Sequence, residues 1–152
     1  ADAAGYSAYE ISNHARGREH QSTHNRIYWS SGDWAAVGPG AHGRLTNGPQ
    51  RWAIEAAEKP GEYLRQVRTT GLGWAVVDTL DPLAQARERV SMGLRVVEGF
   101  AISDITELDL QLAAAPVAEF AAAGLITNEN GRIALTRSGR LMADRIAAEI
   151  SP

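Results

Sequence analysis

The dipeptide Asn130-Gly131 constrains the fold of this chain more than any other feature. Asn-Gly favours the left-handed backbone of a two-residue hairpin turn, and here it separates the apolar runs 125–127 and 132–135. We therefore expect a two-stranded hairpin at this point. Helix patterns precede and follow it, so residues 81–152 have the predicted order helix, helix, helix, hairpin, helix. That order is close to a winged-helix domain.

The helices of this segment have recognisable starts. Asp81 is a good N-cap and Pro82 suits the first helical position, and the apolar spacing that follows predicts a helix ending near Gly99. A second helix is expected after position 103, because Asp104 and Glu107 have the spacing of a capping box.

Two further helices complete the pattern of this segment. Pro116 begins the third, and Gly124 ends it. Thr136 is the expected cap of the last helix, whose apolar residues between positions 142 and 150 lie on one face.

The first half of the chain has a different composition and a less regular pattern. All the histidines, tryptophans and tyrosines precede position 81, which predicts two domains, 1–80 and 81–152. Strands are expected at 6–12 and 34–37, with a polar loop of about twenty residues between them. A connecting helix is expected at 60–71. Two strands alone leave unpaired edges, so we also expect self-association.

Composition excludes several classes of function. The chain of 152 residues has no cysteine, so it cannot form disulfides, thiolate zinc sites or cysteine-ligated iron–sulfur clusters. The net charge is −3, and the helix expected at 116–124 has no basic residue, which argues against nucleic-acid binding. No apolar run reaches the ~18 residues of a membrane span, and no signal peptide is recognisable, so a cytoplasmic protein is expected.

Two motifs resemble a dinucleotide site and a zinc site, but the neighbouring residues do not complete either site. Residues 38–43 match the dinucleotide pattern G-x-G-x-x-G, but the turn-forming residues at 47–49 prevent the helix that must follow it. Glycines of such a loop can instead let the backbone approach a ligand or a neighbouring strand. His20 and His24 have the spacing of a zinc pair, yet no third ligand is evident.

Residues 24–29 place an imidazole, an amide, a phenol and an indole within six positions. Imidazole and phenolate are both ligands of haem iron, and an indole offers apolar surface to a porphyrin. The alternative is a loop in which His24 merely hydrogen-bonds to the backbone.

Five stretches in order, at 9–13, 24–29, 32–34, 38–43 and 92–95, resemble the C-terminal part of one family. The members of that family are the radical S-adenosylmethionine proteins related to oxygen-independent coproporphyrinogen III oxidase, and the resemblance is to the haem chaperone branch in particular. In that branch the motif H-N-x-x-Y is associated with haem. The resemblance implies haem binding by His24, Asn25 and Tyr28, with His24 as the iron ligand.

The resemblance also implies a further part of the protein. The family holds a 4Fe-4S cluster and S-adenosylmethionine in an N-terminal barrel, which this cysteine-free chain cannot supply. We therefore expect an α+β fragment, with terminal strands of a radical-SAM α/β barrel and a haem-motif loop at 1–80, and the winged-helix-like domain at 81–152. Asn13, Gly38 and Gly40 would line the site at the ends of barrel strands.

The function implied is binding of haem and its transfer to acceptor proteins. One alternative is the oxidase branch, which decarboxylates coproporphyrinogen III in porphyrin biosynthesis. Another is a non-catalytic interaction module that docks a partner protein. The resemblance leaves open whether the whole protein is an enzyme. The expected partners are haem-accepting proteins and the N-terminal barrel.

Overall fold

The structure is a computed structural model that describes residues 1–152, apart from the side chain of Asp2. The α-helices are α1 Thr23–Trp29, α2 Pro60–Thr70, α3 Pro82–Gly93, α4 Ser103–Thr106, α5 Ala114–Ala122 and α6 Ala143–Ile150. The strands are β1 Ser7–Ala8, β2 His14–Ala15, β3 His42–Asn47, β4 Gln50–Ala56, β5 Trp74–Thr79, β6 Phe100–Ala101, β7 Ile126–Glu129 and β8 Arg132–Leu135. Short 3₁₀ turns occur at Asp2–Ala4, Arg18–His20 and Gly139–Met142.

The chain forms two compact units, one of residues 1–31 and 82–152 and the other of residues 32–81. The domains 1–80 and 81–152, which rest on composition, stay a prediction; their boundary is one residue from the junction at 81/82. Residues 1–31 join the helical unit because their backbone bonds to the segment after α3. Ile11 donates to the carbonyl of Arg95, and Val97 donates to the carbonyl of Tyr9.

The helical unit is built on an antiparallel sheet with the strand order β6-β8-β7, packed against α3, α4, α5 and α6. The largest fully buried side chains of this unit come from α3 and the residue after it, from α4, β8 and α6: Val90, Leu94, Ile105, Ile133, Ile146 and Ile150. Removing such a residue from a packed core costs about 2–5 kcal/mol, so these positions hold the unit together.

The predicted hairpin is confirmed in place and in turn type. Ile126–Glu129 pairs with Arg132–Leu135, and the two residues between them have φ angles of 53° at Asn130 and 71° at Gly131. Two consecutive left-handed residues are the signature of the type I′ turn that Asn-Gly favours.

The predicted helices of this unit occur, but their ends and caps differ from the expected ones. The helix α3 begins at Pro82 as expected but ends at Gly93 rather than near Gly99, and α4 is a single turn rather than a long helix. The capping box is wrong, because Asp104 accepts from the backbone of Ala101, upstream of the helix. The last helix is preceded by a 3₁₀ turn, where Thr136 accepts from the N–H of Gly139.

Residues 32–81 form a three-stranded antiparallel sheet with the order β3-β4-β5, together with α2. The predicted strand at 34–37 is wrong, since only Trp34 makes a bridge, to Arg44. The helix at 60–71 is confirmed and ends with Gly71 in the left-handed conformation. The prediction that no helix follows the glycines of 38–43 is confirmed, because the strand β3 begins there.

The other predicted strand, 6–12, shrinks to the two residues of β1, which pair with β2. The polar loop expected after it is also wrong, because it contains a 3₁₀ turn and the helix α1. Among the described residues, no helix is long and apolar enough to cross a membrane.

Candidate functional site

The motif H-N-x-x-Y lies on α1, a seven-residue helix, and not on a loop. Ser22 caps this helix, and its side chain accepts from the backbone N–H of Asn25 at 3.3 Å. The backbone N–H of Ser22 in turn donates to the hydroxyl of the buried Tyr9. A helix this short is marginal by itself, so these bonds to neighbouring residues define where it begins.

A buried carboxylate holds the inner face of α1. Glu10 is only 3% exposed and accepts from the side-chain amide of Asn25 at 3.5 Å and from the indole N–H of Trp29. The amide of Asn13 donates to the same carboxylate. Glu10 thus ties the predicted site residues Asn13 and Asn25 together through one acceptor.

The outer face of α1 carries the candidate iron ligand. His24 and Tyr28 are four residues apart, so they lie on the same side of the helix, and their ring centroids are 5.8 Å apart. Ile27, which is 40% exposed, borders them. Within the part of the chain that the structure describes, the exposed imidazole of His24 has no hydrogen bond or ion pair. Its ring nitrogens are therefore available to a metal.

Aromatic contacts connect the two faces. Tyr28 meets the ring of Trp29 edge-on at 5.3 Å, and the guanidinium of Arg95 lies 5.4 Å from the centre of the same indole. Cation–π and edge-to-face contacts are each worth about 1 kcal/mol, so the indole is held from several directions.

Sequence reasoning missed three residues of this arrangement: Glu10, Trp29 as an anchor, and Arg95. Glu10 and Trp29 stand inside the stretches 9–13 and 24–29 that carry the family resemblance, which was the available signal. Their pairing was not visible, because the bond joins residues that are 19 positions apart.

The glycines of the predicted site lie in the other unit. Gly38 and Gly40 both have left-handed backbones, and their N–H groups bond to the hydroxyl of Tyr63 and the carbonyl of Ala57, each at 3.0 Å. Their backbone donors are thus used by other residues of the same unit, and a role in lining a site stays a prediction.

Two other histidines, His14 and His20, belong to the same unit as His24. His20 is 3.7 Å from Glu19, and His14 lies exposed on β2. No group of three His, Cys, Asp or Glu side chains that could hold a metal ion occurs among the described residues. The role of His24 as a metal ligand stays a prediction.

Comparison with known proteins identifies relatives for the chain. Residues 80–142 match the family model of the HemN C-terminal domain. The chain is 31% identical, over 98% of its length, to radical S-adenosyl methionine domain-containing protein 1, mitochondrial, of Mus musculus, and covers 36% of that protein. It is 33% identical, over 95% of its length, to heme chaperone HemW of Mycobacterium tuberculosis strain H37Rv, and covers 35% of it.

A solved structure shares the fold. Coproporphyrinogen III oxidase (HemN) from Escherichia coli, a radical SAM enzyme, matches 97% of this chain with a TM-score of 0.69 and 19% sequence identity. The match covers 37% of the oxidase chain. The present chain thus spans about a third of the length of these relatives.

Proposed function

Since the chain carries a HemN C-terminal domain and is homologous to the HemW heme chaperones and to radical S-adenosyl methionine domain-containing protein 1, we propose that it binds haem for transfer to acceptor proteins. Haem is the cargo in this proposal, and His24 on α1 is the ligand of its iron. Acceptor proteins and an N-terminal radical-SAM barrel are the partners.

The observation that carries the proposal is that the two faces of α1 have different contacts. Asn25 and Trp29 face inwards and are bonded to Glu10, whereas His24 and Tyr28 face outwards. A neutral imidazole nitrogen is a standard axial ligand of haem iron, and it requires no other protein donor because the porphyrin supplies four nitrogens. Ile27 adds apolar surface beside the imidazole against which a porphyrin can lie.

The anchoring of α1 supports the same proposal. A histidine on a loose loop would have to be ordered when haem binds, and that ordering reduces affinity. Here Glu10 and the Ser22 cap fix the helix in advance, so the imidazole is presented from a preorganised position.

Cluster chemistry does not fit these 152 residues. A 4Fe-4S cluster is held by thiolates, and this sequence contains no cysteine. In our proposal the cluster and S-adenosylmethionine belong to the barrel of the whole protein, and no step at His24 passes through them. The strands of residues 1–80 would adjoin that barrel.

For residues 82–152 we infer a winged-helix type of fold. The order of elements is helix, strand, helix, helix, strand, strand, helix, with β8 between β6 and β7, and this order supports that inference. The helix that would enter a DNA groove, α5, contains no basic residue, so the domain lacks the cations on which DNA affinity depends. A role in packing against protein is the better proposal.

The oxidase reaction is the second candidate, because the matched structure is that of a coproporphyrinogen III oxidase. At 19% identity that match concerns the fold, whereas the match to heme chaperone HemW reaches 33% identity. Turnover of coproporphyrinogen by the whole protein with its cluster would favour the oxidase, and stable haem binding without turnover would favour the chaperone.

A haem titration followed by Soret absorption tests the proposal. We expect saturation near one equivalent for the native chain, and a loss of affinity of tenfold or more for His24→Ala because the axial bond is absent. His20→Ala is the matched control, since this exposed histidine lies in the 3₁₀ turn before α1 and not on the helix. Native binding that persists unchanged in folded His24→Ala, as judged by circular dichroism, would contradict the proposal.

A further inference from the structure

A cavity of the helical unit shares only Trp29 with the site described above. Its volume is about 720 Å³, and it lies between α1, the end of α3, α4 and the β6-β8 strands. Volumes of roughly 300–1,000 Å³ are typical of small-molecule sites. We call it the arginine cavity, after the side chains that line it: Arg18, Arg26, Arg89 and Arg132.

Two of these arginines are held by neutral groups. Arg132 donates to the carbonyls of Glu98 at 3.1 Å and Gly99 at 2.7 Å, and Arg89 donates to the carbonyl of Asp104 at 2.5 Å. Carbonyls fix a guanidinium in place without neutralising its charge. In the described part of the chain neither arginine forms an ion pair, so each presents N–H groups that can bind an anion.

The charge of the cavity limits the anion. Its four arginines are accompanied by the carboxylates of Glu98, Asp104 and Glu107, which leaves an excess of one positive charge. Glu98 is also 3.5 Å from Arg26 and partly offsets it. Such a balance suits one or two carboxylates, whereas a polyphosphate or a nucleic acid would meet repulsion from the acidic side chains.

The cavity also has apolar surface. Trp29, Val96 and Phe100 line it, and the indole of Trp29 is fixed by its bond to Glu10. A planar apolar molecule can lie against such a wall while its acid groups reach the guanidinium forks, which bind carboxylates in pairs of hydrogen bonds.

We propose that the arginine cavity is a second ligand site, which binds a planar molecule through carboxylate side chains, and that the ligand is the propionate-bearing face of a porphyrin. The choice of a porphyrin rests on the proposed function. The cavity itself is separate from the iron site, because Arg26 is two residues from His24 and lies on the other side of α1.

An iron-free porphyrin tests this proposal without involving His24 as a ligand. The native chain is titrated with deuteroporphyrin IX diacid and with its dimethyl ester, and binding is followed by porphyrin fluorescence. We expect the diacid to bind at least about tenfold more tightly than the ester, since esterification removes both carboxylates. Equal affinities for the two forms would overturn the proposal.

Variants locate the binding. Arg89→Gln and Arg132→Gln should weaken diacid binding by about tenfold or more, whereas Arg145→Gln, on an exposed residue outside the cavity, should leave it unchanged. Circular dichroism checks that each variant folds. If an anchored arginine proves necessary for folding, Arg18→Gln decides, because this exposed side chain lines the cavity without anchoring a described residue. Folded variants with native affinity would overturn the proposal.

Two further results separate the possible explanations. Phosphate that displaces the diacid more effectively than acetate at the same concentration would identify a phosphate site and overturn the carboxylate proposal. His24→Ala should bind the diacid as the native chain does. Diacid binding without haem ligation by His24 would contradict only the proposed function, and haem ligation without diacid binding would contradict only the arginine cavity.

Discussion

Replacing Glu10 with glutamine tests how α1 is held in place. Glu10 is buried, and both of its oxygens accept from side chains: Asn13 and Asn25 at one oxygen, Trp29 at the other. Glutamine has nearly the same shape but only one oxygen acceptor. Its NH₂ group must face one of these donors, so that donor loses its partner.

The expected loss of stability is about 2 kcal/mol. A hydrogen bond to a charged group contributes about 1.5–3 kcal/mol, and the substitution removes one of the two strong bonds. The bond from Asn25, at 3.5 Å, is long and contributes little. Part of the loss is offset because a neutral amide is less costly to bury than a carboxylate. With a urea m-value of ~1–3 kcal/mol per M, the unfolding midpoint falls by about 1 M.

Urea unfolding followed by circular dichroism measures this change. Glu19→Gln is the matched control, since that side chain is 72% exposed, so a change within about 0.5 kcal/mol is expected. If Glu10→Gln were as stable as the control, the buried carboxylate would not be what holds α1, and the reasoning would be refuted.

Four other substitutions test the fold of the two units and the predicted self-association. Gly99→Ala should cost more than about 3 kcal/mol in thermal unfolding, because its Cβ would lie 1.9 Å from the carbonyl oxygen of Ile133 at a φ of 63°. Gly131→Ala, with a similar φ but open space around it, should cost only about 1 kcal/mol, and equal losses would contradict the steric account. Arg51→Met should destabilise residues 32–81 by about 3 kcal/mol, because it removes a 6% exposed cation that bonds to two side chains and a carbonyl; an unchanged urea midpoint would argue otherwise. Val77→Lys on the edge strand β5 should lower the average mass in light scattering if the predicted self-association occurs there, and an identical mass would exclude this edge.

The second half of the chain could be predicted because its signals are local. The Asn130-Gly131 turn, the Pro82 helix start and the apolar spacing of the helices are all contained within a few residues. The end of α3 could not be predicted, since the apolar spacing continues to Val97. That residue instead bonds to Tyr9, which a local pattern does not reveal.

The first half resisted prediction for physical reasons. The Asn47-Gly48 turn joins β3 to β4, and the same dipeptide that breaks a helix is also a hairpin signal. The helix α1 is too short to show a periodic pattern. It also depends on Glu10, which accepts hydrogen bonds from helix residues 15 and 19 positions later in the chain. His24 and Tyr28 could be chosen from residue type, but their common face follows only from the helix.

The most direct test of the central claim is the identity of the iron ligand. The absorption spectrum of the haem complex is compared between the native chain and His24→Ala, before and after addition of free imidazole. We expect His24→Ala to lose the native Soret band and to regain it with imidazole, which fills the vacated ligand position. A folded His24→Ala complex whose spectrum matches the native one before imidazole is added would show that His24 does not bind the iron.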